Sequence, residues 1–239
     1  MKIFNSRQDA IICLAAGNSQ IPILKVAKSL GYIVAAVDKN PSAPGLKYAD
    51  IHICLSTYNV KAIIKELDLL KKKYKFIGIL NRSAGPPVKV SAELSEYFGI
   101  QGVPINVAKS LVNKDQLRRI CTKYNFPVPN YKIYSVENAN SINISQFPVI
   151  IKPGLSLIGK SGITVVSSKK HLDKAIEYAA KNTINNKIIL EEYLPGPDLT
   201  LVSFVQDGKL SPVCFLDELN NELKDGKIEG RGYKIHSPP

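Results

Sequence analysis

The chain has 239 residues, 45% of them hydrophobic and 22% charged, a balance that fits a globular protein and excludes a disordered one. Its net charge of +12 comes mostly from lysine, with arginine only at Arg7, Arg82, Arg118, Arg119 and Arg231. The lysines are scattered apart from Lys71–Lys73 and no recognition motif accompanies them, so the charge suits a phosphorylated small molecule better than nucleic acid.

From Ala10 onward short apolar runs alternate with helical patterns. Ile11–Ala15 reads as a buried strand, followed by the turn residues Gly17-Asn18-Ser19. Ile21–Leu30 places Ile23, Ala27 and Leu30 on one helical face, and Gly31 ends that helix. Strands are expected at Ile33–Val37, Ile51–Leu55 and Phe76–Leu80. Helices are expected at Val60–Leu70 and from Pro86-Pro87 to Gly99. Such alternation predicts a parallel α/β sheet with ligands at the carboxyl ends of its strands, where Asp38 and the loop Asn81–Pro86 would lie.

The pattern changes near Val103. Helices at Ile105–Leu111 and Lys114–Tyr124 precede paired strands at Tyr131–Ser135, Val149–Lys152 and Ile163–Val166. A helix at Lys170–Ala180 follows, then strands Ile188–Tyr193, Leu199–Gln206 and Leu210–Leu216, the last two joined by a hairpin turn at Asp207-Gly208. This half reads as α+β. Asn220–Gly230 reads as polar loop, the pair Asp217-Glu218 as a turn, and GYKIHSPP as a strand cut short, as in a fragment of a longer chain. The expected divisions are 1–104, 105–190 and 191–239.

Cys13, Cys54, Cys121 and Cys214 form no CxxC and no Cys/His cluster; three lie in apolar strand-like runs, so buried reduced thiols are expected. MKIFNSRQDA lacks the apolar stretch of a signal peptide, and no apolar run approaches the ~20 residues that cross a bilayer. A cytoplasmic protein without membrane partners is expected.

Residues Gly154–Ser161, GLSLIGKS, match the P-loop pattern GxxxxGK[ST]. That motif needs a helix directly after the loop, so that its N-terminus faces the phosphates. Here Gly162-Ile163-Thr164-Val165-Val166, rich in β-branched residues, follows, so the loop should join two strands. A glycine loop beside a strand ending in Lys152 still suits phosphate, through backbone N–H groups, hydroxyls and ammonium groups.

At four places, in order, the chain resembles the ATP-grasp superfamily. LAAGNSQIPILKVAKSLGYIVAAVDKNPSAPGLKYAD resembles a biotin-carboxylase-type N-terminal domain, and NKDQLRRICTKYNFPVPNY the opening of the small ATP-grasp subdomain. FPVIIKPGLSLIGKSGITVV resembles the lysine strand and glycine loop, and IILEEYLPGPDLTLVSFVQDGKL the hinge strand that holds adenine. The resemblance extends to carbamoyl-phosphate-synthase-like and phosphoribosylglycinamide-synthetase-like ligases, and to amino-acid ligases. It implies a Rossmann-like parallel α/β domain followed by an incomplete α+β ATP-grasp domain.

The resemblance implies roles. Lys114 and Lys152 would reach the α- and β-phosphates of ATP, while Ser156, Gly159, Lys160, Ser161 and Gly162 would fold over them. Glu191 would accept from the adenine amino group, the backbone of Glu192, Tyr193 and Leu194 would read the ring edge, and Asp198 would hold the ribose. Asp198 departs from the family's usual glutamate. Asp38, Asn81, Ser83, Gly85 and Arg231 are candidate contacts for the acceptor substrate. Mg²⁺ is implied too, its ligands expected beyond Pro239. The reaction implied joins a carboxylate to an amine or another nucleophile through an acyl-phosphate, with little turnover expected from this stretch alone. A homodimer through Leu210–Leu216 is a further expectation. Other readings are a non-catalytic ATP- or ADP-binding module and a P-loop NTPase. A nicotinamide-dependent oxidoreductase is disfavoured because GNSQ, not GxGxxG, follows the first strand.

Overall fold

The computed structural model describes residues 7–157, 160–223 and 226–235. They form two compact units, divided between Asn113 and Lys114.

The first unit is a parallel sheet of β1 (Gln8–Leu14), β2 (Ile33–Val37), β3 (Ile51–Ile53) and β4 (Tyr74–Asn81), in the order β3-β2-β1-β4. The period of two sets its layers. Ile12 and Leu14 pack with Ile63 and Leu67 of α2 (Val60–Leu70) and with Val90 and Leu94 of α3 (Pro86–Phe98). Cys13, Val34 and Ala36 face the other way, onto Leu24 and Ala27 of α1 (Ile21–Ser29). Each helix has a physical start or stop. Asn59 Oδ1 accepts from the Ala62 N–H at the head of α2, and α3 opens on Pro86 and stops at Gly99. Helix α4 (Ile105–Val112) packs on α3.

The second unit opens with α5 (Lys114–Lys123) and holds two sheets. One is antiparallel, in the order β5-β8-β6-β7, from β5 (Tyr131–Ser135), β6 (Val149–Pro153), β7 (Thr164–Val166) and β8 (Lys187–Glu192). Val149, Ile151, Val166 and Ile188 bury against Leu172, Ala175, Ile176 and Ala179 of α6 (Leu172–Asn182). The other is antiparallel, with β9 (Leu199–Gln206), β10 (Lys209–Glu222) and β11 (Ile228–Ile235). Asp207 and Gly208 both take positive φ, 50° and 74°, as a two-residue hairpin requires. The turn before β11 is seated on β7, where Val165 N–H donates to Gly226 O at 2.8 Å. No helix among the described residues is long and apolar enough to cross a membrane.

Three expectations need correction. Asn220–Gly230 is not loop: β10 runs on to Glu222 and β11 begins at Ile228, pairing Asn220 with Gly230. Of these residues Asn220 and Ile228 line the cavity described below. Asp217-Glu218 is therefore strand rather than turn. Of the cysteines only Cys13 is buried; Cys54 is exposed past the end of β3, Cys121 is half-buried on α5 and Cys214 half-buried on β10.

Candidate functional site

Period-two alternation divides β6 between core and site. Ile151 enters the α6 core, and Lys152 points to the opposite face. Glu191 of β8 stands opposite Ile150 and shares that second face. Lys152 Nζ donates to Glu191 Oε2 at 2.5 Å. Arg118 of α5 grips the same carboxylate with two bonds, Nε at 2.7 Å and Nη2 at 3.2 Å. Burial pushes the Glu191 carboxyl up, but these two cations outweigh burial and hold it below the usual carboxylate range. Burial pulls the Lys152 ammonium below its ordinary value, with Glu191 opposing that and Arg118 adding to it.

Lys114 begins α5, and its Nζ lies 3.5 Å from the Ser156 hydroxyl. Burial lowers its pKa first, and repulsion from Lys152 lowers it further. Two desolvated ammonium groups thus stand together with one carboxylate and one guanidinium, an arrangement that favours an incoming polyanion.

Beside them opens a cavity of about 600 Å³. Ile150, Ile163 and Val165 give it an apolar wall, and Lys152 and Lys160 supply cations. From β10, Glu218 receives Lys160 Nζ at 2.6 Å and the Thr200 hydroxyl at 2.8 Å. Asn220 Oδ1 receives Lys160 at 2.5 Å, and Asn220 Nδ2 donates to Asp198 at 2.5 Å.

Both ends of the glycine loop rest on one segment, 182–187. Gly154 N–H donates to Lys187 O at 2.8 Å and Ile184 N–H to Leu155 O at 2.9 Å. At the other end Ser161 Oγ donates to Asn182 Oδ1 at 2.5 Å. Gly162 has φ +81°, and a Cβ there would lie 2.8 Å from the Asn182 Cβ. Lys114 N–H donates to Gly154 O at 2.8 Å, tying the head of α5 to the loop's start. The loop leads into β7, which runs antiparallel to β6, and no helix begins at Lys160 or Ser161. The P-loop reading therefore fails.

No protein-family model matches the chain. It is 26% identical over 226 residues to the formate-dependent phosphoribosylglycinamide formyltransferase of Prochlorococcus marinus, an alignment covering 92% of this chain and 56% of that one. Its structure superposes on the L-amino acid ligase of Bacillus licheniformis with a TM-score of 0.74 and 15% identity, over 98% of this chain and 56% of that one. The N5-carboxyaminoimidazole synthetase of Staphylococcus aureus, solved with ADP, gives 0.69 and 15% identity, over 92% and 56%. The chain spans about half the length of the curated relatives it matches. In sequence and in fold it resembles the ATP-grasp enzymes.

In this ATP-grasp-like chain the expected nucleotide residues fall into three groups. Lys114, Lys152, Ser156 and Glu191 meet at the buried cluster. Lys160, Tyr193, Leu194 and Asp198 line the cavity. Ser161 and Gly162 sit at the loop's seat on Asn182, while Glu192 accepts from Asn130 N–H and Nδ2 at 3.2 and 2.8 Å. Gly159 lies outside the described residues, as does the side chain of Arg231.

In the first unit the strand order reverses between β1 and β4, which is where parallel sheets take ligands. Asn81, Ser83 and Gly85 follow β4 there, with Asn81 Oδ1 accepting from Ser83 N–H at 3.1 Å. Asp38 is at the tip of β2, and its carboxylate accepts from Ala16 and Asn40 N–H at 2.8 and 2.9 Å.

Sequence reasoning passed over Arg118, although it lies four residues after Lys114 on one helix and so shares its face. It also passed over Gln20, buried and donating to Arg82 O at 3.0 Å, and over Asp115, Asn182 and Asn185, whose partners are distant in sequence.

Proposed function

We propose that the second unit binds ATP within an ATP-grasp ligase that activates a carboxylate as an acyl-phosphate, which an amine or another nucleophile then opens. One observation carries the reading: Lys114 and Lys152, both desolvated, stand together, and Lys152 lines a cavity of about 600 Å³. In this reading Lys114, Lys152 and Lys160 neutralise phosphate charge, the backbone at Tyr193 and Leu194 meets adenine, and Asp198 meets ribose. Catalysis is then mostly positioning and charge neutralisation. Asp38, Asn81, Ser83, Gly85 and Arg231 remain proposals for acceptor contact. Four free thiols suit a reducing compartment.

Magnesium is the counter-ion that the superfamily implies. Among the described residues no group of three or more His, Cys, Asp or Glu could hold a metal ion, and Glu218 and Asp198 already accept hydrogen bonds. The described residues do not fit such a site, and no step of this reading is routed through the ion.

The test is calorimetry of ATP and AMP on the wild-type chain and on Lys152→Ala. ATP affinity should fall about ten- to a hundredfold, with AMP changed far less. Equal losses for the two would remove Lys152 from the phosphates, and no binding by the wild-type chain would remove the nucleotide.

A further inference from the structure

Each of the two ammonium groups lining the cavity is already matched by a carboxylate, Lys152 by Glu191 and Lys160 by Glu218. The two pairs differ in what holds the acid. Glu191 is 3% exposed and keeps Arg118 when Lys152 turns elsewhere. Glu218 is more open, and among the described residues Lys160 is the cation it pairs with. The Glu218 side chain is nonetheless fixed from its own sheet. Thr200 donates to its Oε1, while Lys160 sits on Oε2. Asn220, anchored to Asp198, supplies Lys160's second acceptor. Lys160 itself adopts φ +63°, a left-handed conformation unusual for a residue with a side chain. The contact joins Lys160 of the glycine loop to β10, and so spans the cavity from one wall to the other.

We propose that Glu218 is a selectivity element of the nucleotide site: a resident anion that occupies Lys160 in the empty cavity and yields only to a polyphosphate chain. The proposal rests on the reading of this cavity as the nucleotide site. ATP or ADP carries several phosphate charges and replaces the single carboxylate charge that Lys160 gives up. Adenosine carries none, and its binding leaves the Lys160–Glu218 pair in place. A carboxylate at this point thus makes the phosphate chain, rather than the base, decide which nucleotide is retained. Displacement does not dismantle the wall, because Thr200 and Asp198 keep Glu218 and Asn220 in position.

Glu218→Gln removes the charge and preserves the shape and the acceptor for Thr200. ATP, ADP, AMP and adenosine are titrated calorimetrically, without divalent cations, into the wild-type chain, Glu218→Gln, Lys160→Ala and the double variant. The proposal expects Glu218→Gln to tighten ATP and ADP by about two- to fivefold, the range of a partly exposed ion pair, and to leave adenosine unchanged. It expects no effect of Glu218→Gln in the Lys160→Ala background. Asn220→Ser, which withdraws the second acceptor, should shift ATP the same way and gives an independent variant if Glu218→Gln melts early. An equal change for adenosine and ATP, weaker ATP binding by Glu218→Gln, or an effect that persists without Lys160 overturns the proposal. If only the Glu218 effect is absent while Lys152→Ala still weakens ATP, the nucleotide site stands and the selectivity role falls. If no chain binds nucleotide, both fall.

Discussion

Lys187 of β8 donates to Asp115 of α5 at 2.8 Å across 72 positions of sequence, and the carboxylate it meets is 1% exposed. Asn185 adds a second bond at 2.9 Å. Asp115 directly follows Lys114, and Lys187 and Asn185 belong to the segment that seats the glycine loop. One buried acid therefore fixes the start of α5, where Lys114 stands, and the loop's support together. Asp115→Ala leaves these donors unmatched, and the half-exposed Lys187 recovers part of the loss in water. We expect a loss of about 1–3 kcal/mol by urea denaturation. An unchanged midpoint would mean that the pair contributes nothing to the fold.

Glu191 sets a pH dependence whose sign is fixed. Its folded-state pKa is depressed, because Arg118 and Lys152 outweigh its burial. The stabilisation is complete above the unfolded carboxyl value of about 4.3 and is lost as pH falls from there through the lower folded value. Stability measured by denaturant titration across this acid range should decline in the wild-type chain and decline less steeply in Glu191→Gln. Parallel profiles for the two chains would refute the assignment.

Gly226 is a backbone requirement. Its φ is +77°, and a Cβ would fall 2.2 Å from the Val165 carbonyl oxygen, a clash no side-chain rotation relieves. Gly226→Ala should cost about 2–3 kcal/mol and lift the β10–β11 turn from β7. Thermal unfolding reads the first effect. The second appears as faster hydrogen exchange at Val165 N–H, which Gly226 O now protects. Slow exchange at that amide in the variant would show that the turn stays seated.

The first unit was legible because its rules are local. Unbroken apolar runs in β1 and β2, Pro86 and Gly99 around α3, and apolar residues every three or four positions in α2 each act within one element. The antiparallel connection around the glycine loop was legible for the same reason, through the β-branched Thr164–Val166. The site was legible only in part. Lys152 announces itself as a charge in an apolar strand, but Glu191's clamp by Arg118 lies 73 positions away and has no local sign. The end of β10 was misread because Glu218 and Asn220 look like loop residues; in place, their polarity serves a cavity wall built with Thr200 and Asp198.

Ile151 and Lys152 are adjacent, one committed to the hydrocarbon layer under α6 and the other to the cavity wall. A single-residue insertion or deletion within β6 would exchange them, sending an ammonium beneath the helix and a branched alkyl chain into the cavity. Neither misplacement is repaired by moving a neighbour, because Ile150 and Val149 would be exchanged in the same stroke. A change of length is therefore far better absorbed at the exposed Asp207-Gly208 turn than within β6, where parity decides which residues face oil and which face water.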